Sequence, residues 1–382
     1  MDQKEAWRDA GLYDPLDPGA TERLAVLEYL TERGATIEQM VAAHRMGTLP
    51  GVAGDLVTQG RNDMVTVADI AERRDLPASR VMRALLAAGI PARNESEVPA
   101  DLASFMAVFE EGAALFGEGA ILAFTRVLGA AANNVAEAAI ALFFAELGPG
   151  TVREGPDELV RARLAEAATT AFTRVPDVLG LLVMDAFERA QRRAEAARSW
   201  LGPTPAADGE IDGPTEVVAL GFVDLVGSTA WGQTISLRDQ SLALSRFESA
   251  AWTSAVLAGG RVIKTIGDEV FFAAPSAEAA CRIGLDVCRE AAEDEVLPLA
   301  RGAVGVGPAT PREGDYFGPL VNLLSRLVKF GAPGEVVVTE AVAIDLPPEI
   351  WDLRPLEPAA LRGIDAPVRA FVVDRREHPT ES

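Results

Sequence analysis

Residues 201–214, LGPTPAADGEIDGP, divide the chain into two parts that follow different sequence patterns. Proline, glycine and three acidic residues fill this stretch, and such a composition disfavours both helix and strand. The sequence therefore predicts a helical domain over 1–200, a linker over 201–214 and a second domain over 215–382. A chain of 382 residues is long enough for two or three domains.

The first part is rich in Ala, Leu, Glu and Arg, and its apolar residues recur at helical spacing. Its last segment becomes charged and alanine-rich toward the linker. We expect an all-α domain, with helices over 20–34, 36–47 with Thr36 as N-cap, 66–89 as two helices with a turn near Asp75–Pro77, 101–147 and 156–200.

Strands and helices follow one another in the second part. The predicted segments are a strand over 215–225, a helix over 236–260, two strands joined by a tight turn over 261–274, a helix over 276–295 and a strand over 299–307. This β-α-β-β-α-β order, with further elements after it, matches the α+β ferredoxin-like plan. In that plan helices cover one face of the sheet, and we expect the other face to be open for pairing or ligand.

The charge and the cysteine content limit the possible partners. The formal net charge of −22 repels a phosphate backbone, so we expect no nucleic-acid partner for the molecule as a whole. Cys281 and Cys288 are two helical turns apart, too far for a disulfide. With His44 and His378 as the only histidines, no Cys/His metal cluster can form. These features predict a reduced, cytoplasmic protein.

The N-terminal sequence and the most apolar segment bear on membranes. The start, MDQKEAWRDAG, is polar and acidic, so we expect no signal peptide. The most apolar region, 115–147, is interrupted by charged residues at short intervals. No uncharged run reaches the roughly 18 residues of a membrane span, so we interpret the region as packed helices without a span.

Two aspartates are candidate metal ligands. Asp224 ends the first apolar strand of the second part, and Asp268 lies at the tip of the hairpin. The predicted topology brings both to one edge of the sheet, where two carboxylates repel unless a cation lies between them. Two divalent cations with oxygen ligands would suit phosphoryl transfer. At an edge, we expect Asp224 to be a surface carboxylate whose loss costs little stability.

The turn after Asp224 and a later helix add candidate phosphate contacts. Gly227, Ser228 and Thr229 open the next helix, so their backbone N–H groups can face a phosphate. Asn322 and Arg326 are four residues apart and share one face of a helix. That face could be merely solvated, or Arg326 could reach a phosphate.

Three motifs in this order and spacing resemble the catalytic domain of class III nucleotidyl cyclases: FVDLVGST (222–229), KTIGDEVFF (264–272) and GDYFGPLVNLLSRL (314–327). The resemblance covers about 215–374 and includes LRGIDAPVRAFVV (361–373), which is similar to the closing strand of the family. It implies a reaction that converts ATP to 3′,5′-cyclic AMP and pyrophosphate.

The resemblance also implies roles for particular residues. Asp224, Asp268 and the Leu225 carbonyl are expected to bind two Mg²⁺ or Mn²⁺ ions, and Lys264 with Asp315 to specify adenine. Asn322 is expected to orient the ribose, and Arg326 to steady charge on the α-phosphate. In the family these groups come from two subunits paired head to tail, so we expect a homodimer with two equivalent sites.

The first part resembles the helical regulatory domain fused to some soluble actinobacterial adenylyl cyclases, which are described as autoinhibited and pH-responsive. His44 is a candidate for a pH switch. The aliphatic segment 101–147 is expected to be core, although a fatty acid or other apolar ligand is an open alternative. Two other functions stay open: a degenerate cyclase domain kept for binding, and a DNA-binding regulator with a helix-turn-helix over 66–89 whose arginines are Arg73, Arg74, Arg80 and Arg83.

Overall fold

The computed structural model describes residues 3–59, 63–147, 157–201, 215–358, 361 and 367–376. The chain divides into two compact units, Met1–Phe187 and Glu188–Ser382, and the division falls within a long helix. Apart from Leu201, which ends that helix, the predicted linker lies outside the described residues. The boundary at 201–214 therefore stays a prediction.

The first unit is built mainly from helices, and every helical segment predicted above is confirmed. Thr36 caps its helix as expected, because its hydroxyl accepts the N–H of Gln39 at 3.2 Å. The helices are α1 (Gln3–Asp9), α2 (Ala20–Glu32), α3 (Ile37–Arg45), α4 (Val52–Gln59), α5 (Val67–Arg74), α6 (Ala78–Ala87), α7 (Leu102–Phe116), α8 (Glu118–Leu147), α9 (Glu158–Phe172) and α10 (Val175–Leu201).

The expectation of an all-α unit is wrong in one respect. Two short strands, β1 (Met64–Thr66) and β2 (Glu97–Pro99), pair antiparallel and flank the helix pair α5–α6. Val65 lies opposite Val98, which is buried in the core formed with α5, α6 and α7. Three residues are too few for a period-two alternation to appear in the sequence, so these strands left no pattern to detect.

Helices α8 and α10 expose many large apolar side chains along their length, among them Phe124, Leu142 and Leu181. Two stretches, Glu118–Ala145 and Glu158–Glu195, are long and apolar enough to cross a membrane by length and composition alone. Core helices of soluble proteins meet the same criterion, so it is weak evidence. The absence of a membrane span stays a prediction.

The second unit contains the predicted β-α-β-β-α-β order. Its strands and helices are β3 (Glu216–Leu225), α11 (Ser228–Gly232), α12 (Leu237–Leu257), β4 (Arg261–Ile266), β5 (Glu269–Ala274), α13 (Ala277–Glu293), β6 (Ala300–Arg312), β7 (Asp315–Phe317), α14 (Pro319–Leu327), β8 (Val336–Thr339), α15 (Glu340–Asp345), β9 (Trp351–Pro355) and β10 (Ala370–Arg375). The sheet order is β4-β5-β3-β6-β8-β10-β9, and β7 pairs with β6 as a hairpin.

Alternation along the strands gives this sheet two buried faces. In β3, Ala219 and Val223 face a core shared with α12 and α13, whereas Leu220 and Phe222 face a second core that contains Leu320 and Leu324 of α14. Helix α14 therefore covers part of the face that we expected to be open. That face carries the chemistry described below.

Candidate active site

Asp224 lies next to the end of β3, a central strand, and is only 9% exposed. Antiparallel pairing places it opposite Glu269 of β5 and Arg301 of β6. The Nη2 and Nε atoms of Arg301 donate to Asp224 Oδ2 at 3.1 and 3.4 Å. The expectation of a surface carboxylate is therefore wrong, because strands flank Asp224 on both sides. Truncating Asp224 would leave a largely buried guanidinium without its carboxylate partner.

The hairpin of β4 and β5 turns through two residues, Gly267 and Asp268, between the paired residues Ile266 and Glu269. Gly267 has a φ of 66°. Tight hairpins need a positive φ at the first central position, which glycine adopts without steric cost. The Leu225 N–H donates to the Asp268 carbonyl at 3.3 Å. The turn thus brings Asp268 beside the end of β3, as the topology predicted.

The electrostatics of this edge favour a bound cation. Burial raises the pKa of Asp224 above its usual range, and the charge of Asp268 raises it further, while the hydrogen bond from Arg301 partly offsets both effects. Burial and the charge of Asp224 likewise raise the pKa of Glu269. Crowded carboxylates of this kind fit the hard oxygen ligands that Mg²⁺ and Mn²⁺ prefer.

Within the described ranges, no three His, Cys, Asp or Glu side chains converge as a metal cage. The protein would therefore supply two carboxylates and leave further positions for substrate and water. Leu225 is buried through its side chain, so only its main chain can take part. Helix α11 begins at Ser228, after Gly227, and both Gly227 and Thr229 are exposed. The start of α11 is therefore exposed to solvent at these two residues.

A β-bulge decides where Lys264 points. The register places Val262 opposite Phe272 but Lys264 opposite Phe271, so Ile263 is the extra residue. Without the bulge, Lys264 would lie opposite Val270 and face the core under α12 and α13. With it, the Lys264 ammonium lies 5.7 Å from the centroid of the Phe271 ring, on the face that carries α14. No periodicity in the sequence signals this shift.

Asp315 follows a tight turn between β6 and β7. Glu313 and Gly314 are the two central residues and have φ values of 53° and 85°, as a type I′ turn requires. The Asp315 carboxylate forms an ion pair with Lys264 and accepts the Tyr316 N–H at 2.7 Å. The structure therefore brings together two residues that lie 51 positions apart and that the resemblance names as a pair.

Asn322 and Arg326 lie on α14, whose opposite face buries Leu320, Leu324 and Leu327 in the sheet. Asn322 is exposed and Arg326 is half-buried. Over the described parts of the chain, neither side chain forms a hydrogen bond or ion pair with Asp224 or Asp268. The structure thus brings the two aspartates together, and Lys264 with Asp315, but it does not join Asn322 and Arg326 to the acidic edge.

The sequence analysis did not predict two residues that lie beside Asp224. Arg301 was not predicted as a site residue, and Glu269 was not predicted to lie opposite Asp224. Arg301 also donates to the Lys329 carbonyl at 3.1 Å, which fixes its side chain at the start of β6. A single arginine in the apolar segment LARGAVGVG was the available signal, because a charge in a central strand requires a partner. The sequence did not reveal which residue is the partner, because that depends on the pairing register of two strands whose contacting residues are 77 positions apart.

The arginines of α5 and α6 bear on the alternative that this helix pair binds DNA. Two helices joined by a short turn are present, but Arg80 on α6 forms ion pairs with Glu110 at 2.7 Å and Glu118 at 3.1 Å. Arg83 also pairs with Glu118, at 2.7 Å, and Arg74 donates to the Ala103 carbonyl. Arginines neutralised within the chain are poorly placed to bind phosphates, so the contacts disfavour DNA binding.

The two aspartates at the sheet edge, the Lys264–Asp315 pair and the sheet topology match the arrangement expected from the three sequence motifs. No protein-family model matches the chain. Relatives match the chain over nearly its whole length. The uncharacterized protein Rv2212 of Mycobacterium tuberculosis is 31% identical over 374 residues, 96% of this chain and 93% of the relative. The pH-sensitive adenylate cyclase MT1302 of the same species is 27% identical over 387 residues, 96% of this chain and 92% of the relative.

An adenylate cyclase of Glutamicibacter nicotianae is 40% identical over 137 residues, 35% of this chain and 34% of the relative. Among solved structures, the adenylyl cyclase CyaB of P. aeruginosa superposes with a TM-score of 0.38 at 21% identity, covering 43% of this chain and 97% of that one. Because this TM-score is low, the sequence relatives carry the assignment. The chain belongs to the class III adenylyl cyclase family.

Proposed function

We propose that this protein converts ATP to 3′,5′-cyclic AMP and pyrophosphate. The observation that carries the proposal is the acidic edge formed by Asp224 and Asp268 on the same sheet as the Lys264–Asp315 pair. The first feature suits a metal-bound triphosphate and the second suits a purine base. The names of two relatives, an adenylate cyclase and a pH-sensitive adenylate cyclase, support the same reaction.

Asp224, Asp268 and the Leu225 carbonyl would hold two divalent cations, Mg²⁺ or Mn²⁺. When bound, these ions would lower the pKa of the ribose 3′-hydroxyl and neutralise charge on the leaving pyrophosphate. The backbone of Gly227, Ser228 and Thr229 would bind phosphate oxygens. The exposure of Gly227 and Thr229 supports this role.

Lys264 and Asp315 would select the base. An ammonium donates to adenine N1 and a carboxylate accepts from the exocyclic amine, whereas guanine presents an oxygen and an N–H at these positions. Lys264 is 43% exposed and Asp315 is 21% exposed along their side chains, so a base can reach both. Their mutual ion pair would open to admit the base.

Asn322 and Arg326 would act on the nucleotide held by a second copy of the chain. Arg326 would stabilise charge on the α-phosphate in the transition state, and Asn322 would orient the ribose. The lack of any contact from either side chain to the acidic edge, in the part of the chain described, supports a site shared between subunits. A homodimer would then form two equivalent sites.

The helical unit would regulate the catalytic unit, by autoinhibition and in response to pH or an apolar ligand. His44 lies 3.2 Å from Arg23 through Nδ1, and the exposed apolar side chains of α8 could receive a fatty acid. Cyclic AMP formation by the full chain and by a fragment that begins at Thr215, compared between pH 5 and 8, tests this. Equal rates at every pH would contradict it.

Purified full-length protein is expected to form cyclic AMP from ATP with Mn²⁺ or Mg²⁺. Chelation is expected to abolish the activity, and added metal to restore it. Without a cation, the carboxylates repel the negatively charged triphosphate instead of binding it. Product chromatography with ATP and with GTP is the measurement. A protein that binds ATP and metal but forms no cyclic nucleotide would instead be the degenerate binding module.

A further inference from the structure

We infer that Tyr316, together with Glu216 and Arg261, positions Asp315 for base selection without touching the base. The inference rests on the proposed function, because it presupposes that Asp315 reads adenine. It assigns a share of the discrimination between ATP and GTP to three residues for which the family resemblance implies no role.

Tyr316 is the anchor of this network. Its side chain is 9% exposed and belongs to the second core of the sheet. The hydroxyl donates to Glu216 Oε1 at 2.6 Å. Burial first, and then the neighbouring Glu216, raise the pKa of Tyr316, so the hydroxyl stays protonated as a donor at neutral pH. The bond ties the short strand β7 to the first residue of β3.

Arg261 closes the network from a third strand. Its guanidinium carbon lies 5.4 Å from the centroid of the Tyr316 ring, and its Nη1 donates to the Gly314 carbonyl at 3.2 Å. Gly314 is the residue before Asp315 and belongs to the left-handed turn. Arg261 also lies three residues before Lys264 on β4. Arg261 thus lies on the strand that carries Lys264 and contacts the turn that precedes Asp315.

The path from this network to Asp315 is short. β7 has three residues and, among the strands that the structure describes, pairs only with β6, so few strand–strand hydrogen bonds fix its position. Asp315 and Tyr316 point to opposite faces of the strand. The Tyr316 N–H holds the Asp315 carboxylate at 2.7 Å. A shift of the Tyr316 ring would therefore move the carboxylate that is proposed to read the base.

Replacing Tyr316 with phenylalanine keeps the packed ring and removes the hydroxyl. We expect the ratio of kcat/KM for ATP to that for GTP to fall about tenfold, the size of one hydrogen bond to a charged group. We expect the loss mainly in KM for ATP, since the reacting phosphate is bound elsewhere. Glu216→Ala should reproduce it, and Glu216→Gln, which keeps an acceptor oxygen, should retain most of the wild-type ratio.

Tyr29→Phe is the matched control, because the Tyr29 hydroxyl donates to Glu166 in the helical unit. It should leave the ratio unchanged. Tyr316→Phe and Glu216→Ala variants that fold, lose thermal stability and keep the wild-type ratio would overturn the inference in favour of a purely structural anchor, while the proposed function stood. Wild-type protein that forms no cyclic AMP would overturn both.

Discussion

Replacing Asp224 with asparagine is expected to lower cyclic AMP formation by about a thousandfold or more, because a neutral amide binds divalent cations far more weakly than a carboxylate does. The loss should appear in kcat/KM with either Mg²⁺ or Mn²⁺. Asparagine retains an acceptor oxygen for Arg301, so the ion-pair partner keeps a hydrogen bond. Steady-state kinetics with saturating metal is the measurement.

Thermal unfolding shows whether this loss is chemical. Because the pKa of Asp224 is raised, its ionised form is disfavoured in the fold, and the variant should unfold within a few degrees of the wild type. Asp224→Ala is a poorer test, since it removes the only carboxylate that Arg301 contacts among the described residues, at a cost of about 1–3 kcal/mol. Asp286→Asn, at an exposed ion pair with Arg289, is the control. Full activity of the Asp224 variant would refute the metal role.

Replacing Arg326 with alanine is expected to lower kcat by about a hundred- to a thousandfold with a small change in KM, because the guanidinium is proposed to act on charge that develops in the transition state. Arg326→Lys should recover only part of the rate, since an ammonium provides a point charge without the planar fork. Single-turnover kinetics separates the chemical step from binding.

Arg282→Ala is the matched control for the arginine series. Arg282 forms an exposed i,i+4 pair with Glu278 on α13, away from the sheet face that carries α14. Its loss should leave kcat unchanged. A rise in KM with an unaltered kcat in Arg326→Ala would show that the residue binds substrate and transition state equally, and would contradict the role proposed here.

The sequence predicted the helices and strands of this molecule better than it predicted the contacts between them. The helices of the first unit and the order of the catalytic unit follow from periodicity and from caps such as Thr36. Gly267 and Asp268 mark their hairpin directly, because two-residue turns demand such residues. The paired placement of Lys264 and Asp315 was available only through family resemblance.

Features set by register or by very short elements were beyond sequence reasoning. The strands β1 and β2 are too short to show alternation. The burial of Asp224 and its pairing with Arg301 depend on the alignment of β3 with β6, and the bulge at Ile263 changes the face of Lys264 without altering composition. Helix α14 was predicted, but its position on the second face follows from tertiary packing.

A mixture of two inactive variants tests the shared site most directly. With Asp224→Asn and Arg326→Ala combined in equal amounts and allowed to exchange subunits, half of the dimers are mixed and carry one intact site, so about a quarter of wild-type activity should return. Mixtures that stay as inactive as either variant alone would place all of these residues in one chain. That result would contradict catalysis at an interface between two copies.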